Sequence, residues 1–541
     1  MLSYAHGASS VPLLGETIGA NLERTASRRA GAEALVCCHQ GVRWSYGELN
    51  DRVDALARGL VEAELQPGDR VGIWSPNCAE WVLVQFATAK AGVVLVNVNP
   101  AYRATELAYA LRRSGCRMLV AARSFKTSDY AAMIEEVRDD LPDLERVVFF
   151  DSPEWERLAA GTATTGRDME ARADALQFDD PINIQYTSGT TGFPKGATLT
   201  HHNILNNGYF VGQTCGYTEA DRVCIPVPFY HCFGMVMGNL ACCVHGACMV
   251  IPSPSFEPRR VLEAVAAERC TSLYGVPTMF IAELAEPDFA SFDLTSLRTG
   301  IMAGSPCPAQ VMKRVITEMH MDEVTICYGM TETSPVSTQT LPSDELERRV
   351  GTVGHVHPHV EIKLVDPATG RTVQRGEPGE LCTRGYSVML GYWEQPEETA
   401  EAIDRAGWMH TGDLATMDEA GYVQIVGRSK DMIIRGGENV YPREIEEFLY
   451  TYPGVADVQV VGIPDERYGE DIVAFVRPEA GAELDEDALR EHCRERIAHY
   501  KVPRHVRFVS EFPMTVTGKV QKFKLRERAI AELSREHDPA T

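Results

Sequence analysis

Basic residues are in short supply. The 52 Lys and Arg stand against 76 Asp and Glu, leaving a formal net charge of −24. Such a surface repels a phosphate backbone, which excludes nucleic acid as an expected partner. Any bound polyphosphate then needs a local cradle of Lys, Arg, metal or backbone N–H groups. Paired cysteine spacing is also missing. The 15 Cys are odd in number, none has C-x-x-C spacing, and Cys37–Cys38 and Cys242–Cys243 are simply adjacent. Buried free thiols in a reducing cytoplasm are expected, not a disulfide framework. The N-terminus has no basic stretch ahead of an apolar one, since Glu16 precedes the first arginine, Arg24. Neither a signal peptide nor an Arg-rich transit peptide is expected. Long apolar runs are absent too. The most apolar stretch, 81–98, is interrupted by Lys90 and Asn97 and reads as a buried strand–helix–strand passage. No transmembrane segment is expected; peripheral membrane contact and a homodimer stay open.

What is present suits a globular chain of two or more domains. Its 541 residues exceed the ~250–300 at which single cores stop growing. The hydrophobic fraction of 44% and charged fraction of 24% are ordinary. Strand-like runs at 70–74, 92–97 and 118–121 alternate with helical patterns at 80–91 and 106–114. The same rhythm returns at 222–226, 248–251 and 272–275, predicting βαβ units with a mostly parallel sheet. The stretch 151–178 lacks periodicity and reads as a surface connection. After about residue 350, short strands punctuated by Gly and Pro predict a small β-barrel-like unit. From Glu444 a compact α+β pattern follows. The expected fold is therefore α/β: a large N-terminal domain, 1–427, of βαβ subdomains plus a small β-barrel, and a smaller, mobile α+β C-terminal domain, 428–541.

The chemistry begins at 186–196, YTSGTTGFPKG. Gly189 and Gly192 permit close backbone approach to an anion. Thr187, Ser188, Thr190 and Thr191 add hydroxyl donors, and Lys195 adds a cation. This is not a Walker A loop, which needs Gly immediately before Lys and Ser or Thr after it. Alone, a Ser/Thr/Gly loop is an ordinary turn. Ten positions in order, TSGTTGFPKG, resemble the phosphate loop of the adenylate-forming superfamily, which includes acyl-CoA synthetases, luciferases and peptide-synthetase adenylation domains. Further segments match in order: YGMTET, RGYSVMLGYW, TGDLATMDE, VGRSKDMIIRGGENVYP and TGKVQKFKLRE. The likeness covers nearly the whole chain and is greatest to medium-chain acyl-CoA synthetases of the branch called acyl-CoA synthetase family member two.

The resemblance implies a site. In Tyr328–Thr333, Tyr328 and Gly329 would face adenine, Thr331 the α-phosphate, and Glu332 would hold Mg²⁺. Gly304, Ser305 and Pro306 match the segment lining the adenine. Asp413 matches the aspartate on both ribose hydroxyls, and Arg428 an arginine reaching the same sugar. Lys430 matches the hinge between domains. Arg435, Gly436 and Gly437 match a loop beside coenzyme A. Lys519 matches the catalytic lysine of adenylation, with Thr331 and Glu332 as its partners. In 229–238, His231 stands at a gating position, and Gly234, Met235 and Gly238 would leave room for an alkyl chain. The expected reaction joins a fatty acid to coenzyme A with ATP and Mg²⁺ through an acyl-adenylate, with medium-chain acids favoured by likeness. Rival readings are an aryl-acid or other carboxylate–CoA ligase, a luciferase-like or carrier-loading enzyme, and a non-catalytic nucleotide-binding protein.

Overall fold

A computed structural model of the chain describes residues 1–187, 194–305, 307–428, 431–435, 438–465, 468–494, 496–515 and 519–537. Two large sheets carry the first three quarters. One has seven strands in the spatial order Gly391–Tyr392, Lys195–Thr200, Pro181–Thr187, Val94–Asn97, Arg70–Trp74, Met118–Ala121 and Arg146–Phe149. Its inner strands run parallel, whereas Pro181–Thr187 and Lys195–Thr200 form an antiparallel hairpin. The other has nine strands, whose central members, among them Cys248–Ile251, Arg222–Cys224, Ser272–Gly275, Thr299–Ala303 and Glu323–Gly329, are parallel.

Helix Ala79–Ala91 belongs to the largest core cluster, and twelve of its thirteen residues are buried. A helix apolar on all sides belongs in a core, and this one satisfies that rule. Its Lys90 is buried as well, but its ammonium is held by Glu23 and Asn50, each at 2.9 Å, and by Asp54. The apolar run of the sequence is thus an interior helix with one compensated charge. No helix among the described residues is long and apolar enough to cross a membrane.

The stretch 151–178 differs from its expected form as a plain connection. It holds helices Pro153–Ala160 and Gly166–Ala175, capped by Ser152 and Thr165. The first buries Trp155 and Leu158; the second buries nothing. Only Met169 and Arg172 of that helix are partly covered, too short an apolar stripe for periodicity to reveal it.

Where the barrel-like unit was expected, five antiparallel strands lie in the order Tyr4–His6, Val360–Val365, Gly379–Gly385, Met409–Met417 and Val423–Arg428. The last segment folds around strands Val455–Asp465 and Gly469–Pro478, flanked by Ile433–Arg435, Glu438–Val440 and His505–Phe508, with its own apolar clusters. The large and small parts of an α/β architecture are both present. All 15 Cys are free thiols, and only Cys38 is exposed.

Candidate functional site

The hairpin that brackets the phosphate-loop sequence pairs Thr187 with Lys195, so the loop leaves and returns at one point on the sheet. Ser188, Gly189, Thr190, Thr191 and Gly192 lie outside the described residues, and the frame around them is clear. The Thr187 hydroxyl donates to Glu332 Oε1 at 3.4 Å, joining the hairpin to the short helical turn Thr331–Thr333. The Tyr392 hydroxyl donates to the same oxygen at 2.9 Å. The Lys195 ammonium lies 5.0 Å from the Tyr392 ring centre, a cation–π distance. Thr331 and Glu332 are both buried, Glu332 at only 4% exposure. Burial raises the Glu332 pKa, opposed by the Tyr392 and Thr187 hydroxyls and by Lys519 at longer range. A buried carboxylate bonded by neutral hydroxyls, with no described ion pair, fits a divalent cation.

A second cluster forms where the two antiparallel strands Met409–Met417 and Val423–Arg428 pair Asp413 with Arg428. Arg428 Nε lies 3.2 Å from Asp413 Oδ1, and the Tyr328 hydroxyl donates to Asp413 Oδ2 at 2.7 Å. Each carboxylate oxygen keeps further lone-pair capacity for a diol. Tyr328 is the penultimate residue of strand Glu323–Gly329, and its last residue, Gly329, sits where any Cβ would overlap the Pro335 carbonyl oxygen. Gly304 closes strand Thr299–Ala303 at φ +91°, a left-handed conformation that favours glycine. Ser305 follows it, and Pro306 lies outside the described residues.

Lys519 comes from the far end of the chain. Two hydrogen bonds to Thr515 hold its backbone: Thr515 N–H donates to the Lys519 carbonyl at 2.7 Å, and Lys519 N–H to the Thr515 hydroxyl at 3.0 Å. A Cβ on Gly304 would lie 4.0 Å from Lys519 Cε, so the lysine side chain packs over that glycine. Burial, then Arg428, lowers the Lys519 pKa; Asp413 and Glu332 oppose them. The structure thus brings together Thr187, Lys195, Gly304, Tyr328, Thr331, Glu332, Asp413, Arg428 and Lys519, contributed by five separate stretches of chain.

The segment expected beside the acyl chain, 229–238, is mostly buried among apolar neighbours. His231 is the N-terminal cap of a short turn; its Nδ1 accepts from Phe233 N–H at 3.2 Å, leaving the proton on Nε2. Burial and the nearby Lys519 push its pKa down to about 3, so the ring is neutral. At Gly234 and Gly238 the missing Cβ positions face the protein itself. A Cβ on Gly234 would meet the Pro228 carbonyl oxygen at 2.4 Å, and one on Gly238 the Ile225 side chain at 3.0 Å. Both glycines permit close packing of the protein on itself, through a π-helical stretch, Met235–Leu240. Met235 is buried with its sulfur against the amides of Asn97 at 3.2 Å and Gln185 at 3.1 Å.

Arg435, expected beside coenzyme A, faces its own unit in this structure. Its guanidinium pairs with Asp471 at 2.9 Å and donates to the carbonyls of Tyr500 and Val502 at 2.9 and 3.0 Å. These contacts lie inside the small C-terminal unit, so the side chain stabilises that unit and does not reach the cluster around Lys519. Gly436, Gly437 and Lys430 lie outside the described residues.

Tyr392 is a candidate site residue that the sequence did not reveal. It belongs to RGYSVMLGYW, yet nothing in that string shows that its hydroxyl meets Glu332, 60 positions away. The available signal was its place beside the Gly196 hairpin strand in the seven-stranded sheet, which only pairing reveals.

Comparison with known proteins gives the family. A family model described as AMP-binding enzyme matches residues 22–393, and one described as AMP-binding enzyme C-terminal domain matches 444–519. The chain is 48% identical to the putative acyl-CoA synthetase YngI of Bacillus subtilis, over 96% of this chain and 98% of that protein. It is 46% identical to the zebrafish (Danio rerio) protein named medium-chain acyl-CoA ligase ACSF2, mitochondrial, over 98% of this chain and 91% of that one. Among solved structures, the anthranilate CoA ligase AuaEII in complex with anthranoyl-AMP superposes with a TM-score of 0.87 at 28% identity, covering 96% of this chain and 98% of the other.

Proposed function

The chain belongs to the AMP-binding enzyme family and is an AMP-forming, ATP-using acyl-CoA synthetase, and from that premise we propose that its acid is a medium-chain fatty acid activated at the Lys519–Glu332–Asp413 cluster. The observation that carries this reading is the approach of Lys519, from the C-terminal segment, to Glu332, Asp413, Arg428 and Gly304. The acid class rests on the printed name of the zebrafish relative.

ATP is held in this reading by the loop 187–195 at its phosphates, by Asp413 and Arg428 at its ribose, and by Tyr328, Gly329 and 304–306 at its base. A carboxylate oxygen of the acid attacks the α-phosphorus, the bond to the bridging oxygen breaks, and pyrophosphate leaves with the electron pair. Negative charge grows on the departing oxygens, where Lys519, Lys195 and the loop donors stabilise it. Positioning and electrostatics supply most of the catalysis in such transfers. Mg²⁺ would be held by Glu332 and would neutralise phosphate charge there. In the second step the coenzyme A thiol attacks the acyl carbonyl and AMP leaves. A thiol is already a competent nucleophile near neutral pH, so no base is assigned. His231, neutral with its proton on Nε2, lines the acid's side of Lys519. The backbone of 435–439 is the candidate for the coenzyme A approach.

Two measurements test this reading. A series of acids from short-chain to long-chain, with anthranilate included, is assayed for pyrophosphate exchange and for thioester formation. Maximal kcat/KM among medium-chain acids is expected; a preference for anthranilate would overturn the acid class and favour the aryl reading that the AuaEII likeness raises. Lys519→Ala is expected to abolish acyl-AMP formation while leaving thiolysis of supplied acyl-AMP largely intact. Equal loss of both half-reactions would refute the role given to Lys519. Cytoplasmic residence is proposed from the buried free thiols, although the zebrafish relative is named as mitochondrial.

A further inference from the structure

Strand Met409–Met417 carries Asp413, and three residues earlier it carries His410, which lies directly opposite Cys382 on strand Gly379–Gly385. Glu380 comes two residues before Cys382, and side chains two apart on a strand share a face. The three converge. His410 Nδ1 is 2.9 Å from Glu380 Oε2 and 3.5 Å from Cys382 Sγ, and one donor atom of each residue lies within 4.8 Å of the others. Asp404 Oδ2 stands 3.9 Å from the other ring nitrogen, Nε2. Cys382 is buried, while the Glu380 and His410 side chains retain 18% and 31% exposure, so the group has one side open to solvent.

We propose that Glu380, Cys382 and His410 form a binding site for a divalent cation of the zinc class, with water as its fourth ligand. The donors are a carboxylate oxygen, a thiolate sulfur and an imidazole nitrogen, the mixture borderline metals prefer. Mg²⁺ prefers oxygen ligands alone, so this site and Glu332 select different ions. Zinc–nitrogen and zinc–oxygen bonds of ~2.0–2.2 Å and a zinc–sulfur bond of ~2.3 Å place neighbouring ligand atoms roughly 3–4 Å apart. The observed 2.9 and 3.5 Å approach that spacing, so small side-chain adjustments suffice.

The charges close as well. Thiolate and carboxylate together neutralise a dication, while Lys363, the strand neighbour of Cys382, is offset by Asp404. Without metal the thiol is protonated, since burial and then Glu380 push its pKa up to about 12. Binding therefore forms a metal–sulfur bond and releases that proton to solvent. Asp404 is placed as the outer partner that commonly orients a ligating histidine. The site also touches the ATP side by one hydrogen bond: Gly412 N–H, next to Asp413, donates to Glu380 Oε1 at 3.0 Å, leaving Oε2 for the metal.

Cobalt(II) is the probe, added to the full-length, metal-stripped protein. One equivalent is expected to produce a thiolate-to-cobalt charge-transfer band and strong visible ligand-field bands of four-coordinate cobalt, both removed by one equivalent of Zn²⁺. Cys382→Ser is expected to lose the charge-transfer band while keeping its circular dichroism and metal-stripped pyrophosphate exchange with added Mg²⁺. His410→Gln is expected to weaken cobalt binding by roughly tenfold or more. If Cys382→Ser does not fold, His410→Gln decides the matter. No charge-transfer band in the parent protein, the same band in Cys382→Ser, or unchanged affinity in His410→Gln would each overturn the proposal, leaving a hydrogen-bonded cluster.

Discussion

Tyr392 joins the two charges of opposite sign nearest the phosphate loop. Its hydroxyl bonds Glu332 and its ring faces the Lys195 ammonium. Tyr392→Phe removes the first contact and keeps the second. A hydrogen bond to a charged group contributes about 1.5–3 kcal/mol, so adenylation should fall by roughly tenfold or more. Because the lost bond orients the carboxylate, the Mg²⁺ concentration for half-maximal pyrophosphate exchange should rise, and direct Mn²⁺ binding should weaken; an unchanged metal requirement would show that the hydroxyl only supports packing. Lys519 gives a pH signature. It acts as a cation, and burial lowers its pKa, so its function is lost as pH rises through a value below the ordinary lysine range of about 10.4. The alkaline limb of kcat/KM for ATP, which reports the free enzyme, should fall there; a limb at or above the ordinary range would contradict the assignment. Motif residues such as Asp413 and Glu332 were legible because each sits in a contiguous string. The Tyr392–Glu332 bond was not, because it depends on strand Gly391–Tyr392 docking beside the hairpin.

At the scale of elements, helix Pro277–Leu284 contains a cost unrelated to catalysis. Its Glu283 is fully buried, and neither carboxyl oxygen has a hydrogen-bond partner. Burial raises its pKa well above the ordinary carboxylate range. A raised carboxyl pKa means that the folded protein holds a proton the unfolded chain gives up. The ionisation-linked part of the cost is therefore absent below the unfolded pKa of about 4.3 and grows as pH rises above it. Glu283→Met, a substitution that removes the unpaired oxygens while filling similar space, should stabilise the protein at neutral pH by about 1–3 kcal/mol or more, and by less near pH 4, where only the unpaired neutral carboxyl is removed. Denaturant unfolding at both pH values checks this; a loss of stability at neutral pH would refute it. The strands were readable as apolar runs, with 70–74, 118–121, 248–251 and 272–275 agreeing with the observed bounds. What escaped was helix Gly166–Ala175, which buries nothing, and the tight packing at Gly234 and Gly238, which requires knowing that Pro228 and Ile225 lie across from them.

The whole molecule places a lysine of its last sixty residues in a site otherwise built by the preceding chain. Among the described residues, the Lys519 side chain over Gly304 and Arg443 donating to the Ile425 carbonyl at 3.2 Å help hold the small unit there. In this arrangement Arg435 faces Asp471 and the carbonyls at 500 and 502, turned into its own unit. If this arrangement serves pyrophosphate release, as proposed, it leaves the 435–439 loop without a described contact to the Lys519 cluster. A rotation of the C-terminal unit between the two steps, about a hinge near Lys430, reconciles these demands, and such motions limit many turnover rates. Lys430→Pro tests it, because proline fixes φ near −65° and removes an N–H donor. If the pivot lies there, acyl-AMP should still form at a rate close to that of the parent enzyme, while thioester formation falls by a factor on the order of ten or more. Stopped-flow measurement of pyrophosphate release, beside thiolysis of supplied acyl-AMP, separates the steps. Undiminished flux through both would move the pivot elsewhere, and equal loss in both would mean that the variant disturbs the adenylating arrangement itself.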